Sequence, residues 1–97
     1  MADISLTENR IWKYRNVKGF KQEDLAFMIG QNNPSQISRY ERGIAVPKLK
    51  YLIKLCSALE INIEYLYPYL IEKWNREVKK KKGKIRKLLN YEGKKKL

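Results

Sequence analysis

Asn33-Pro34-Ser35-Gln36-Ile37-Ser38-Arg39-Tyr40-Glu41-Arg42-Gly43 holds a helix start, a helix stop and only two apolar side chains between them. Asn33 can accept from the free N–H groups of a first turn, Pro34 suits the first helical position, and Gln36 can reach back as in a capping box. Gly43 supplies the left-handed residue that commonly ends a helix. The spacing predicts a helix over residues 34–42. Ile37 and Tyr40, three apart, form its one inward edge, so Ser35, Ser38, Arg39 and Arg42 point elsewhere. A short helix docked by a narrow edge, with polar donors on its outer side, is shaped for insertion. The major groove of DNA is the natural receptor.

Glycine and proline divide the rest of the chain into further helices. Upstream, Thr7 or Ser5 can cap a helix over residues 7–17, with Ile11 and Tyr14 inside and Lys18-Gly19 ending it. A second, over 22–29, puts Glu23 and Asp24 in its first turn, where carboxylates favour the positive end of the helix dipole. It buries Leu25, Ala26 and Ile29 and stops at Gly30. Downstream, Pro47 opens a helix over 48–59 with Leu49, Leu52, Leu55, Cys56 and Leu59 inside. Asn62 marks a short helix over 63–67, closed by Pro68. No segment shows the period-two alternation of strands. The expected fold is all-α, a compact five-helix domain over residues 1–68 with a basic, helical C-terminal extension over 69–97. In that extension Leu70, Ile71, Trp74 and Val78 suggest a helix over 69–80. A flexible tail follows, with a weak apolar stripe of Ile85, Leu88 and Leu89.

Charge is unevenly placed. The 97 residues carry a net +12. Residues 1–68 hold ten Lys/Arg against seven Asp/Glu, whereas residues 69–97 hold twelve against three. Such an excess favours a polyanion, nucleic acid first and an anionic membrane surface second, with a solubilising tail as the competing reading. Cys56 is the sole cysteine and histidine is absent, which excludes an internal disulfide and a Cys/His zinc site. The chain has no metal constellation, no Gly-rich phosphate loop and no serine or cysteine beside a plausible base, so no enzyme and no cofactor are expected. No apolar run spans a bilayer, no small-molecule ligand is evident, and Asp3, Thr7 and Glu8 do not fit a signal peptide. A cytoplasmic protein is expected.

Residues 8–67 resemble the Cro/repressor-type helix-turn-helix family, often called the XRE family. The resembling residues are Ile11-x-x-Tyr14-Arg15, Gly19-Phe20-Lys21-Gln22-Glu23-Asp24-Leu25-Ala26, Gly30, the run from Ile37 to Gly43, Pro47, Leu52 to Leu59, Ile63 and Leu66. Each piece alone is weak; their order and spacing are specific. Lys21 stands where the family usually places Ser or Thr. A lysine has no acceptor, so that helix start is expected to be looser by about 1 kcal/mol, while its ammonium is free to meet a phosphate. The turn between Gly30 and Ile37 is one residue longer than the commonest family form.

The resemblance implies that the outer face of the third helix reads bases. Carried onto this chain, the readers are Ser35, Ser38 and Arg39, with Asn33 and Gln36 at the edge. Arg39 leads, because a guanidinium can pair bidentately with guanine; a surface salt bridge to Glu23 or Glu41 is the competing role. Lys21 and Gln22 lie at the start of the second helix, where free N–H groups attract a phosphate. Arg42, Lys48 and Lys50 flank the recognition helix as further phosphate contacts. The resemblance also implies a largely buried ion pair between Arg15 and Glu41, with a structural role. Trp12 and Phe20 are expected in the core or at an interface.

Proteins of this kind usually bind double-stranded DNA as symmetric dimers on pseudo-palindromic sites. Ile63, Tyr65, Tyr67, Tyr69, Leu70 and Trp74 are the candidates for a homodimer seam. The expected function is a sequence-specific transcriptional regulator, most simply a repressor. Alternatives are an antitoxin or a restriction-modification controller regulating its own operon, with a protein partner such as a toxin, and, less favoured, an adaptor working through the lysine-rich tail.

Overall fold

The computed structural model describes residues 6–96, with side chains to residue 90. Within it the chain folds into six helices: α1 (Ile11–Lys18), α2 (Gln22–Ile29), α3 (Ser35–Glu41), α4 (Leu49–Leu59), α5 (Ile63–Leu66) and α6 (Pro68–Lys96). No strand occurs among the described residues. The described chain is all-α, five short helices followed by one long C-terminal helix.

The stops are where left-handed residues fall. Gly19 and Gly30 end α1 and α2, and each is followed by an N–H that reaches back five residues, Phe20 to Arg15 O at 3.1 Å and Gln31 to Ala26 O at 2.9 Å. This pattern satisfies the last carbonyls of a helix. Glu60 ends α4 the same way at φ 54°, the one non-glycine residue with positive φ among those described. The start of α1 departs from expectation. The helix begins at Ile11 and not at residue 7, with Arg10 at the cap position and Asn9 Oδ1, not Thr7, accepting from the Ile11 N–H at 3.0 Å. Thr7 instead donates its hydroxyl to Gly43 O at 2.7 Å. Ser5, the other cap candidate, lies outside the described residues.

The core takes side chains from every helix. Ile11, Leu25, Ile29, Ile37, Leu55, Leu59 and Leu66 are fully buried, and Ala26, Tyr40, Tyr67 and Leu70 nearly so. Phe20, Leu52 and Cys56 pack against them. α2 lies against both α3 and α4, while α1 touches α3 and α4 and α5 touches α6. Leu49 was expected inside but is 71% exposed. It opens the first turn of α4 and lies about 120° around the helix from Leu55, the centre of the buried stripe. Trp12 is likewise outside, 60% exposed.

Tyr67 and Leu70 correct the expected dimer seam. They are 1% and 7% exposed, because the α5–α6 joint folds them under the bundle, and neither is available to a second chain. The Tyr67 hydroxyl is buried with no hydrogen-bond partner among the described residues, and burial pushes its ionisation well above the ordinary tyrosine range. Burial, with the Glu64 carboxylate adding to it, also raises the Cys56 thiol, which favours its neutral form.

Pro68 does end α5, but it also begins α6. A proline has no N–H to lose in a first turn, so the chain restarts at once, and Ile71 N–H bonds to Tyr67 O at 3.1 Å. No further proline follows, and Gly83 costs only about 1 kcal/mol relative to alanine. The helix therefore runs to Lys96 and not to about residue 80. At 29 residues it is about 43 Å long. Only its first turn is anchored, since every side chain from Glu72 to Lys82 is exposed and those from Lys84 to Asn90 are too. The radius of gyration is 18.6 Å, against about 12.5 Å for a compact chain of this length. α6 projects.

Two left-handed positions should respond oppositely to substitution. Gly43 has φ 72°, and an added Cβ would stand 3.0 Å from Thr7 Oγ1 and 3.3 Å from Thr7 O. Gly43→Ala should cost about 1–3 kcal/mol in urea unfolding. Glu60→Gly should gain about 1 kcal/mol, because it removes left-handed strain and sacrifices only an exposed ion pair with Lys18.

Candidate nucleic-acid interface

α3 is seven residues long, too short to hold itself together, so its position comes from what it touches. Asn33 Oδ1 accepts from the Ser35 N–H at 3.0 Å and caps it. Pro34, expected as the first helical residue, has helical φ of −64° and immediately precedes Ser35, where the helix begins. Gln36 does not complete a capping box; its backbone N–H bonds to Asn33 O at 3.2 Å, and its side chain makes no hydrogen bond with a described residue. Ile37 and Tyr40 form the buried edge. Gln31 Nε2 donates to Tyr40 Oη at 2.8 Å, and Asn9 Nδ2 donates to Tyr40 O at 2.7 Å. Both bonds tie the last turn of the helix to the body.

The strongest tie is at Glu41. Arg15 Nε lies 2.5 Å from Glu41 Oε2 and its Nη2 lies 3.3 Å from Oε1, with the two side chains 11% and 5% exposed. Gln22 Nε2 adds a third donor to Oε1 at 2.9 Å. The remaining arm of Arg15, Nη1, donates to Phe20 O at 2.9 Å. One ion pair thus joins α1, the α1–α2 turn, α2 and the end of α3. The pair itself was expected. Gln22 was expected at a phosphate; in the structure it gives one amide N–H to Glu41 while also lining the depression at the start of α2. No local signal pairs residues 22 and 41, so the sequence alone did not reveal this.

Locking that edge turns the opposite one outward. Ser35, Ser38, Arg39 and Arg42 fall within about 100° of helix circumference. Ser35 and Arg39 are exposed, Ser38 is half-buried, Asn33 is exposed at the rim, and Gln36 is half-buried. The Arg39 guanidinium has no ion pair with any described residue; Glu41, one of its expected partners, is already satisfied by Arg15 and Gln22. Arg42 lies along its own helix, Nε to Ser38 O at 3.4 Å. Lys48 and Lys50 are exposed beyond the end of α3, with Lys50 Nζ 5.6 Å from the Tyr51 ring centre.

A shallow open depression lined by Arg15, Lys21, Gln22, Glu23 and Pro34 separates the starts of α2 and α3. Lys21 is exposed there. Its backbone N–H is taken by Asp24 Oδ2 at 2.8 Å, the half of a capping box that a lysine permits. Lys21 and the dipole favour an anion in this depression, while the exposed carboxylate of Glu23 opposes one. Of the expected seam residues still at the surface, Tyr65 and Trp74 are 53% and 52% exposed, and Ile63 and Tyr69 are half-buried. Among the described residues no group of His, Cys, Asp and Glu can hold a metal ion, and no helix is long and apolar enough to cross a membrane.

Two helices joined by a tight turn, the second presenting an unsatisfied polar face, define a helix-turn-helix DNA-binding domain. The family model for Helix-turn-helix matches residues 13–66, more than half of the chain, and the protein belongs to this Cro/C1-type family of DNA-binding regulators. Comparison with curated proteins gives no significant match.

Removing one partner of the buried pair should strand the other. Glu41→Ala should lower the unfolding free energy by about 3–5 kcal/mol, whereas Arg15→Met with Glu41→Leu should recover most of that loss. Urea titration followed by circular dichroism checks both.

Proposed function

We propose that the protein is a sequence-specific double-stranded DNA-binding regulator, acting as a repressor that occupies a pseudo-palindromic operator as a homodimer. The observation that carries this reading is Arg39, an exposed guanidinium with no ion-pair partner among the described residues, on the outer face of a helix whose inner edge is locked. Arg39 pairs with O6 and N7 of a guanine in the major groove. Ser35 and Ser38 donate to neighbouring base edges, with Asn33 and Gln36 at the margin. Lys21, Arg42, Lys48 and Lys50 hold phosphates and set the register without reading sequence. Gln22 contributes through its hold on Glu41. Two such domains reach half-sites about 34–36 Å apart and exclude polymerase from the occupied DNA. The reading places the protein in the cytoplasm with its operator.

The lysines beyond residue 78 add affinity without discrimination. If a dimer neutralises about 6–10 phosphates, affinity falls about 10³–10⁵-fold between 50 and 200 mM salt.

Selection of bound fragments from random duplex DNA tests the reading, with an inverted repeat expected. Arg39→Ala should relax preference at one position of each half-site, a loss of about 1–3 kcal/mol of discrimination. Glutamine at Lys79, Lys80 and Lys87, which lie off the apolar stripe of α6, should lower affinity almost equally for all sequences. No enrichment from the pool, or neutralisation of these lysines that abolishes binding while Arg39→Ala changes nothing, overturns it.

A further inference from the structure

α6 carries a seven-residue repeat that its own domain leaves uncovered. Ile71, Val78 and Ile85 stand one heptad apart, and Trp74, Lys81 and Leu88 follow each by three residues. Trp74, Val78, Ile85 and Leu88 are 52%, 53%, 54% and 62% exposed, while Ile71 is partly covered at the helix base. A stripe of period 3.5 stays in register along a second helix that supercoils with it.

We propose that α6 pairs with α6 of a second copy of this chain as a parallel, two-stranded coiled coil. Ile71, Val78 and Ile85 form its first set of core layers and Trp74, Lys81 and Leu88 its second. The proposal rests on the dimeric regulator reading above and assigns the surface that makes the dimer. Three observations select a second copy. β-Branched residues at every position of the first set, with Leu88 in the last layer of the second, favour two parallel strands. In that register Glu77 of one copy faces Lys82 of the other, five residues on, so each seam edge gains one pair of opposite charge. Most of the excess charge sits away from the seam: Lys79, Lys80, Arg86 and Lys87 occupy the outer positions of the heptad. Parallel pairing also leaves both recognition helices at one end of the rod, whereas antiparallel pairing separates the domains along its length of about 43 Å.

Lys81 sets the strength. Two ammonium groups meet in that layer, which fixes register at a cost in affinity. The pairing is therefore weak at low salt and strengthens as salt screens the two basic helices, the opposite of the trend for DNA.

Sedimentation equilibrium of the full chain, from about 50 to about 500 mM salt, reads this directly. The dimer constant should rise with salt. Lys81→Leu should strengthen it at least about tenfold, and Ile85→Asp should weaken it at least about 100-fold with the domain still folded by circular dichroism. Glu77→Lys should weaken it, and E77K combined with K82E should restore it. Ile85→Cys in a Cys56→Ser chain should oxidise to a covalent dimer, because parallel core positions meet their own counterparts. A dimer that survives Ile85→Asp and still selects an inverted repeat rejects the seam and leaves the regulator reading standing. A chain that stays monomeric to its solubility limit and selects a single half-site rejects both. Monomeric chain whose α6 instead binds a glutamate-rich heptad peptide, or phosphatidylglycerol vesicles, overturns the proposal in favour of an acidic helix or a membrane.

Discussion

Glu41 closes α3 with 5% of its side chain exposed, and three N–H groups from two other helices converge on its carboxylate. Taking both charges of such a pair out of water costs about as much as their attraction returns, so the pair is a poor source of net stability. Its effect is directional. A guanidinium fork accepts a carboxylate in few orientations, and Arg15 is itself held by Phe20 O, so α3 can leave the bundle at one angle only. In a core of this size, where burial is marginal, a fully satisfied polar network fixes geometry more sharply than another leucine could.

That constraint explains how so short a helix can act. With seven residues and two buried side chains, α3 has neither the length nor the apolar edge to persist alone. It is pinned at its start by the Asn33 cap, in the middle by Ile37 and Tyr40, and at its end by Asn9 and the Arg15–Glu41–Gln22 cluster. Every tie falls on one side. The other side keeps its serines and arginine unspent, and a polar side chain not committed to its own fold is what a groove can use.

Features that depend on near neighbours along the chain are legible in the amino-acid sequence. α2 matches its expected span of 22–29 because Gly30 and the acidic first turn are local signals. The core residues Ile37 and Tyr40, the outward Ser35 and Arg39, and the absence of strands among the described residues are equally readable, since helical period and caps act within a few positions. What escapes depends on distant parts of the chain. Gln22 meets Glu41 nineteen residues away, and Asn9 meets Tyr40 thirty-one away. Leu49 has the right spacing for the core but overhangs it, and Tyr67 and Leu70 look like surface anchors until the α5–α6 joint turns them inward. Pro68 is readable as a break and also serves as a start, a distinction that the direction of the following chain decides.

The two regions of the chain are ordered by different physics. In the domain, order comes from a shared core, and a net charge near +3 over residues 1–68 leaves it undisturbed. In α6 beyond Glu72 no core contributes, and lysines and arginines meet at helical spacings: Lys80 with Lys84, Lys82 with Arg86, Lys84 with Lys87. Each such pair opposes the helix by about 0.2–0.5 kcal/mol. Salt screens this repulsion over about 8 Å, and a polyanion relieves it more completely, because it supplies fixed charge where the lysines already are. The angle of α3 is therefore set before any partner arrives, while the stability of the basic helix is coupled to whatever neutralises it. A chain built this way keeps the geometry of its helix-turn-helix independent of ionic conditions and lets the order of its C-terminal helix vary with them.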